Sequence, residues 1–263
     1  MTTLSDFDVT TFTHAGTTRP VYAAGTGPAV IVIHEMPGLT PAVAAFGRRV
    51  VDAGFHVRMP SLFGEPGRPV SPGYIATSLA RGCVASEIVT FALDRTGPAI
   101  GWLRALAADA HAACGGPGVG AVGMCFTGGF ALGMMVDDRM LAPVLSQPSL
   151  PFPVSPARRR ALGVSDADLD RVAARAAQGA CVLGLRFTRD PAVPAERFST
   201  LRTLLGDRFL AVEIDSSPGN PHGIPRSAHS VLTEHFVDEP GHPTRAALDR
   251  VLEFFRTQLV PAP

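Results

Sequence analysis

Four polar residues stand just beyond apolar runs: Glu35, Cys125, Asp190 and His229. Their types suit nucleophilic catalysis. A cysteine attacks as a thiolate, a histidine takes and returns the proton, and a carboxylate fixes the histidine tautomer and supports its positive charge. The cysteine lies within Val119-Gly-Ala-Val-Gly-Met-Cys-Phe-Thr-Gly-Gly-Phe-Ala-Leu-Gly133. This stretch begins as a short apolar run, turns at Gly123-Met124-Cys125-Phe126-Thr127 and resumes as an apolar helical pattern. It matches the G-x-S-x-G nucleophile elbow, with Cys in the Ser place and Thr127 in the place of the second Gly. Such a turn holds its central residue in a sparsely allowed backbone region at roughly 1–3 kcal/mol. The side chain then stands beside a helix N-terminus, which favours negative charge. A thiol there ionises more readily than a free one of pKa about 8.5.

Each of these residues has a plainer reading and, in some cases, a rival. A free cysteine is most often a small buried apolar residue, and Cys83, Cys114 and Cys181 are read that way. Asp190 precedes Pro191 and has rivals in Asp207 and Asp215; the plain alternative is a turn residue. His229 has rivals in His222 and His235. Glu35 is either a site residue or a structural hydrogen-bond acceptor. His34 points away from Glu35 if the strand continues and reads as a packed or solvated histidine. Three motifs are decoys. Gly118-Val-Gly-Ala-Val-Gly123 matches G-x-G-x-x-G but precedes a strand instead of opening a helix. His34-Glu35 begins like H-E-x-x-H, but position 38 is glycine, so no second zinc ligand follows. Arg158-Arg-Arg160 is a short charge run that reads as a solvated face.

The elements that would position these residues alternate. Strands are expected over 7–14, 18–24, the run from Pro28 to Glu35, 55–59, 119–123, 140–145, 180–187 and 209–214. Helices are expected over 40–54, 74–94, 97–113, 127–136, 194–205 and 244–259, with Thr40 and Gly54 as caps of the first. Residues 155–178 form an Arg-rich excursion in which Ser165-Asp-Ala-Asp168 opens a helix. Segments 60–73, 146–165 and 216–228 are loops that should shape a pocket. The alternation predicts an α/β chain with a doubly wound, mostly parallel sheet and helices on both faces. Sites on such sheets gather at the carboxyl ends of the strands, and all four residues fall there.

Composition bounds the rest. The chain has 263 residues with 46% hydrophobic content, a pI of about 7.1 and zero formal net charge. This is enough apolar material for one domain over 1–263. All 23 basic residues are arginine, which excludes a lysine Schiff base or a P-loop lysine. The neutral balance gives no sign of nucleic-acid binding. Four widely spaced cysteines do not form a disulfide framework. Neither a secretory signal nor an apolar run approaching the ~20 residues of a membrane span is visible. The expectation is a cytoplasmic protein, monomer or homodimer, without metal or organic cofactor, acting on a small molecule.

In chain order the candidates run nucleophile, acid, histidine, as in α/β-hydrolases. Taken together, Ile33-His-Glu-Met-Pro-Gly-Leu39, Gly123-Met-Cys-Phe-Thr-Gly-Gly129, Arg189-Asp-Pro-Ala-Val-Pro194 and Ala228-His-Ser230 resemble the dienelactone hydrolase family, over roughly residues 25–259. The resemblance implies the α/β-hydrolase fold and a Cys125–His229–Asp190 triad that cleaves ester or lactone bonds through an acyl-enzyme. It implies that Glu35 contacts the resting thiol and assists its activation, and that the N–H groups of Phe126 and Met36 form an oxyanion hole. It also offers Arg81 as a contact for a substrate carboxylate. Two positions depart from the family pattern. Thr127 replaces a glycine after the cysteine, and Thr233 stands where dienelactone-specific members carry an arginine. A non-catalytic binder on the same fold is the rival from another class, to be told apart by the distance between the Cys125 sulfur and the His229 ring. A redox-sensing thiol is a third reading, without a resolving cysteine nearby in sequence.

Overall fold

Val30 and Val32 point to one face of their strand, and Ala29, Ile31 and Ile33 to the other; all five are fully buried. That continuous apolar run needs cover on both sides, and the fold supplies it. The computed structural model describes residues 4–80 and 97–261. Its strands are β1 (Asp8–His14), β2 (Thr17–Ala24), β3 (Ala29–Ile33), β4 (His56–Pro60), β5 (Val119–Met124), β6 (Met140–Ser146), β7 (Val182–Phe187) and β8 (Phe209–Ile214). They form one eight-stranded sheet in the order β1-β2-β4-β3-β5-β6-β7-β8. The β1–β2 and β2–β4 pairs are antiparallel, and every pair from β4–β3 to β7–β8 is parallel. The mixed sheet is therefore mostly parallel, as the alternation predicts.

The described helices are α1 (Pro41–Asp52), α2 (Pro72–Ala80), α3 (Pro98–Cys114), α4 (Phe130–Met134), α5 (Pro156–Arg160), α6 (Asp166–Ala177), α7 (Ala195–Leu205) and α8 (Pro243–Leu259). Phe46 and Val50 of α1 and Val251 and Phe255 of α8 pack with Val30, Val32 and Val122 on one face. Leu103 and Leu106 of α3, Phe130 of α4, Val172 of α6 and Phe198 of α7 pack with Ile31, Ile33 and Ala121 on the other. Thr40 caps α1, its hydroxyl accepting from the Val43 N–H at 3.3 Å, with Pro41 at the first position. Gly54 follows the C-cap Ala53 with φ 95°, a left-handed conformation that favours glycine. Ser165 caps α6 through the Asp168 N–H. No described helix is long and apolar enough to cross a membrane.

Two expectations are adjusted. The helix expected over 127–136 is split: a 3-10 turn, Cys125–Thr127, leads into the five-residue α4. Gly128 and Gly129 separate the two, so the α-helix begins at Phe130 instead of residue 127 and ends at Met134. The helix expected over 74–94 is seen as α2, and its remainder from residue 81 lies outside the described residues. The parallel strands β3, β5, β6, β7 and β8 end on the same edge, so the segments after them meet there.

Candidate active site

The elbow is built by close packing. A Cβ on Gly123 would meet the Thr127 carbonyl oxygen at 2.1 Å, and one on Gly128 would meet Pro148 Cα at 2.5 Å. Neither position admits a side chain. Cys125 takes φ 52°, a strained value for a residue other than glycine. Its carbonyl accepts from the N–H groups of Gly128 and Ser149, each at 3.0 Å. Thr127 is fully buried, and its side chain fills a role that the sequence leaves open. The hydroxyl accepts from the Met124 N–H at 2.9 Å and lies within hydrogen-bond distance of the Ile33, His34 and Met124 carbonyls.

Asp190 follows β7 in a tight turn, where its Oδ1 accepts from the Ala192 N–H at 2.9 Å. Arg186 steadies that turn: it pairs with Glu213 and donates to the Val193 carbonyl at 2.9 Å. The second oxygen of Asp190, Oδ2, meets His229 Nδ1 at 2.6 Å. Asp190 is buried, while His229 keeps part of its side chain open. Because Nδ1 faces the carboxylate, Nε2 is the ring nitrogen left for the thiol. Burial works against a charged His229 ring. The Cys125 charge, with the hydrogen bond and charge of Asp190, outweighs it and holds the ring well above the ordinary histidine range. The structure thus joins His229 to Asp190, with Cys125 close enough for its charge to act on the ring.

His235, a rival for His229, supports it from behind. Its Nδ1 accepts from the N–H groups of His229 and Ser230, at 3.4 and 3.2 Å. Burial and the His229 charge lower the pKa of His235, which suits that acceptor role. Asp207 and Asp215 are exposed, and His222 is exposed and rests edge-on against His242. His34 is fully packed: Nε2 accepts from the Leu62 N–H at 3.0 Å, and Nδ1 faces the Glu35 carbonyl at 3.0 Å. Burial pushes its pKa down to about 4.

Glu35 is engaged elsewhere than the resemblance implies. Its carboxylate accepts from Ser230 Oγ at 2.6 Å, from Gln147 Nε2 at 3.2 Å and from the Thr233 hydroxyl. Three donors converge on it, and Thr233 reaches it from the place where an arginine stands in dienelactone-specific relatives. The hydrogen-bond partner of the Cys125 sulfur on the sheet edge is Ser149, with Sγ and Oγ 3.4 Å apart. The sequence alone assigns no role to Gln147, Ser149 or Ser230. For Gln147 and Ser149 the signal is positional, since the segment Gln147–Ser149 follows β6 at the carboxyl edge. Gln147 is also strained, with φ 36°.

Phe126 is buried and Met36 partly so, and neither backbone N–H donates a hydrogen bond among the described residues. These are the two donors expected to face an oxyanion. The Phe126 ring meets Phe152 edge-on at 5.4 Å, and Phe152 is partly exposed. The loop that carries Ser149 and Phe152 is clamped by buried Arg197, which donates to the carbonyls of Pro148, Pro151, Arg158 and Ala161. Arg81 and Cys83 lie outside the described residues. Among the described residues no group of three or more His, Cys, Asp and Glu is placed to hold a metal ion.

A family model described as the dienelactone hydrolase family matches residues 14–259. No curated protein matches the chain. Among solved structures, the chain is similar to a protein assigned as a dienelactone hydrolase from Klebsiella pneumoniae subsp. pneumoniae MGH 78578, with a TM-score of 0.64 and 17% identity, covering 94% of this chain and 97% of that one. A dienelactone hydrolase-like promiscuous phosphotriesterase from metagenomic libraries is similar at TM-score 0.60 and 17% identity, over 96% and 98% of the two chains. A cold-adapted esterase from an Arctic intertidal metagenomic library is similar at TM-score 0.60 and 15% identity, over 95% and 93%. At these identities the likeness is one of fold.

Proposed function

The chain belongs to the dienelactone hydrolase family, and on that premise we propose that it hydrolyses small ester or lactone bonds through Cys125, His229 and Asp190. The observation that carries this reading is the 2.6 Å contact from His229 Nδ1 to Asp190, in a ring whose charge is also supported by Cys125. A histidine held by a carboxylate on one nitrogen and charged by a nearby thiolate can keep the sulfur ionised and serve as acid and base in turn. The charge that Cys125 lends the ring favours catalysis over the binder reading.

On this reading the reaction has two halves. The Cys125 thiolate attacks the acyl carbon, a C–S bond forms, and the carbonyl electron pair moves onto oxygen. The N–H groups of Phe126 and Met36 are the donors for that oxyanion, each worth about 10²–10³ in rate. The tetrahedral species collapses, and the leaving alkoxide takes the proton from His229. Water then gives a proton to His229 and attacks the acyl carbon, and the C–S bond breaks with its electron pair on sulfur. Asp190 supports the imidazolium throughout.

The test is hydrolysis of p-nitrophenyl acetate and of small lactones by wild type and Cys125→Ala. A phosphotriester belongs in the same panel, because a protein of the same fold is described as a promiscuous phosphotriesterase. A drop of at least a thousandfold in the variant is expected, in line with losses on removing a nucleophile. Equal rates would sink the mechanism.

A further inference from the structure

We propose that Ser149 is a catalytic residue: its hydroxyl donates a hydrogen bond to the Cys125 thiolate before attack and again as the thiolate leaves the acyl-enzyme. The proposal rests on reading Cys125 as the nucleophile. Ser149 Oγ lies 3.4 Å from Sγ, with Ser149 only 2% exposed and Cys125 9% exposed. A buried hydroxyl needs a partner, and among the described residues the Ser149 hydroxyl has no other.

The backbone delivers it there. The Ser149 N–H donates to the Cys125 carbonyl at 3.0 Å, so the two residues are joined at two points. Arg197 holds the preceding carbonyl, that of Pro148, at 2.7 Å, and Pro148 itself packs against Gly128 of the elbow. The carboxylate expected to serve the thiol, Glu35, is already bonded by Ser230, Thr233 and Gln147. A hydroxyl suits both states of the sulfur, because it accepts from a thiol and donates to a thiolate. Bonds to the ionised form are the stronger ones, so Ser149 favours the thiolate. The proton stays on Oγ throughout. In acylation the bond steadies the attacking anion. In deacylation the C–S electron pair returns to a sulfur that meets the same donor, which makes it a better leaving group.

The test is the pH dependence of Cys125 alkylation by iodoacetamide, followed by mass mapping of the Cys125 peptide, in wild type, Ser149→Ala and Ser149→Thr. A hydrogen bond to a charged group predicts a midpoint about one pH unit higher in Ser149→Ala. Ser149→Thr keeps a hydroxyl and should stay within a few tenths of a unit of wild type. Burst kinetics with p-nitrophenyl acetate should show deacylation slowed about tenfold in Ser149→Ala, the same free energy read as a rate. A folded Ser149→Ala with an unmoved midpoint overturns the proposal. Should the alanine variant fail to fold, Ser149→Gly keeps the backbone bond to Cys125 and gives the same readout. Alkylation needs no turnover. An inactive wild type would therefore overturn the hydrolase reading while leaving the role of Ser149 measurable.

Discussion

The Thr127 hydroxyl lies 3.1 Å from the Ile33 carbonyl oxygen, joining the turn that carries Cys125 to the end of β3. The same hydroxyl accepts from the Met124 N–H. It has one proton, so it serves one of the three nearby carbonyls at a time. The two segments it joins carry the N–H groups of Phe126 and Met36. Thr127→Gly restores the residue usual at this place but removes the tie and loosens the turn. A loss of about 1–3 kcal/mol in urea unfolding is expected from the unsatisfied buried groups. Thr127→Ser should recover most of it. If the tie aligns the oxyanion donors, Thr127→Ala lowers kcat about tenfold with KM little changed, the pattern of a lost transition-state contact. Full stability and kcat in Thr127→Ala would count against the tie.

Glu35 joins β3 to Gln147 after β6 and to Ser230 and Thr233 beside His229. Glu35→Ala leaves three donors facing an apolar gap and is expected to cost about 2–4 kcal/mol, since a broken buried network costs more than one bond. Glu35→Gln keeps the shape and part of the bonding and should be milder. If Glu35 positions the His229 segment, the alkylation midpoint of Cys125 does not rise in Glu35→Gln. If it serves as the base for the thiol, the midpoint rises, and that outcome would falsify the positioning role.

The strand ends were legible because the signals there are local. Val30 to Ile33 is a run that only a doubly covered strand can bury, and Gly123 and Gly128 flank a cysteine where the packing admits no Cβ. The strand ends also put Asp190 and His229 on the carboxyl edge, and the structure joins those two at 2.6 Å. What stayed hidden depends on contacts between segments far apart in sequence. Ser149 lies 24 residues from Cys125, and Thr233 lies 198 from Glu35. No period or motif encodes which hydroxyl fills the space beside a sulfur. The expected contact between Glu35 and the thiol came from family resemblance, and Thr233 changes what the carboxylate can reach. The α-helix after the elbow was overextended because its apolar pattern hides the break at Gly128 and Gly129.

His34 gives a pH signature separate from the site. Buried and neutral, its pKa is pushed down to about 4, below the ordinary 6.5. The unfolded chain takes up a proton below pH 6.5 while the folded chain does so only near 4. The stabilising difference is thus fully present above 6.5 and is lost as the pH falls toward 4, with no further loss below it. That window corresponds to about 3 kcal/mol. Urea unfolding at pH 7.5 and 4 should show wild type losing about that much more than His34→Gln. Parallel pH profiles for the two would mean that His34 is not held neutral.

The charge on His229 depends on the sulfur opposite it. Of the influences on the ring, burial opposes the charge, and the Cys125 charge is the largest that favours it. In Cys125→Ala burial remains and Asp190 remains, but the largest favourable influence is gone. The ring should therefore titrate at lower pH in the variant than in wild type. In wild type, where sulfur and ring titrate as a coupled pair, an imidazolium should persist above pH 6.5. Imidazole NMR of the two proteins across pH 5–9 reads this directly. A His229 midpoint that stays in place when the sulfur is removed would show that Asp190 alone sustains the charge, and it would remove the basis for a thiolate–imidazolium pair.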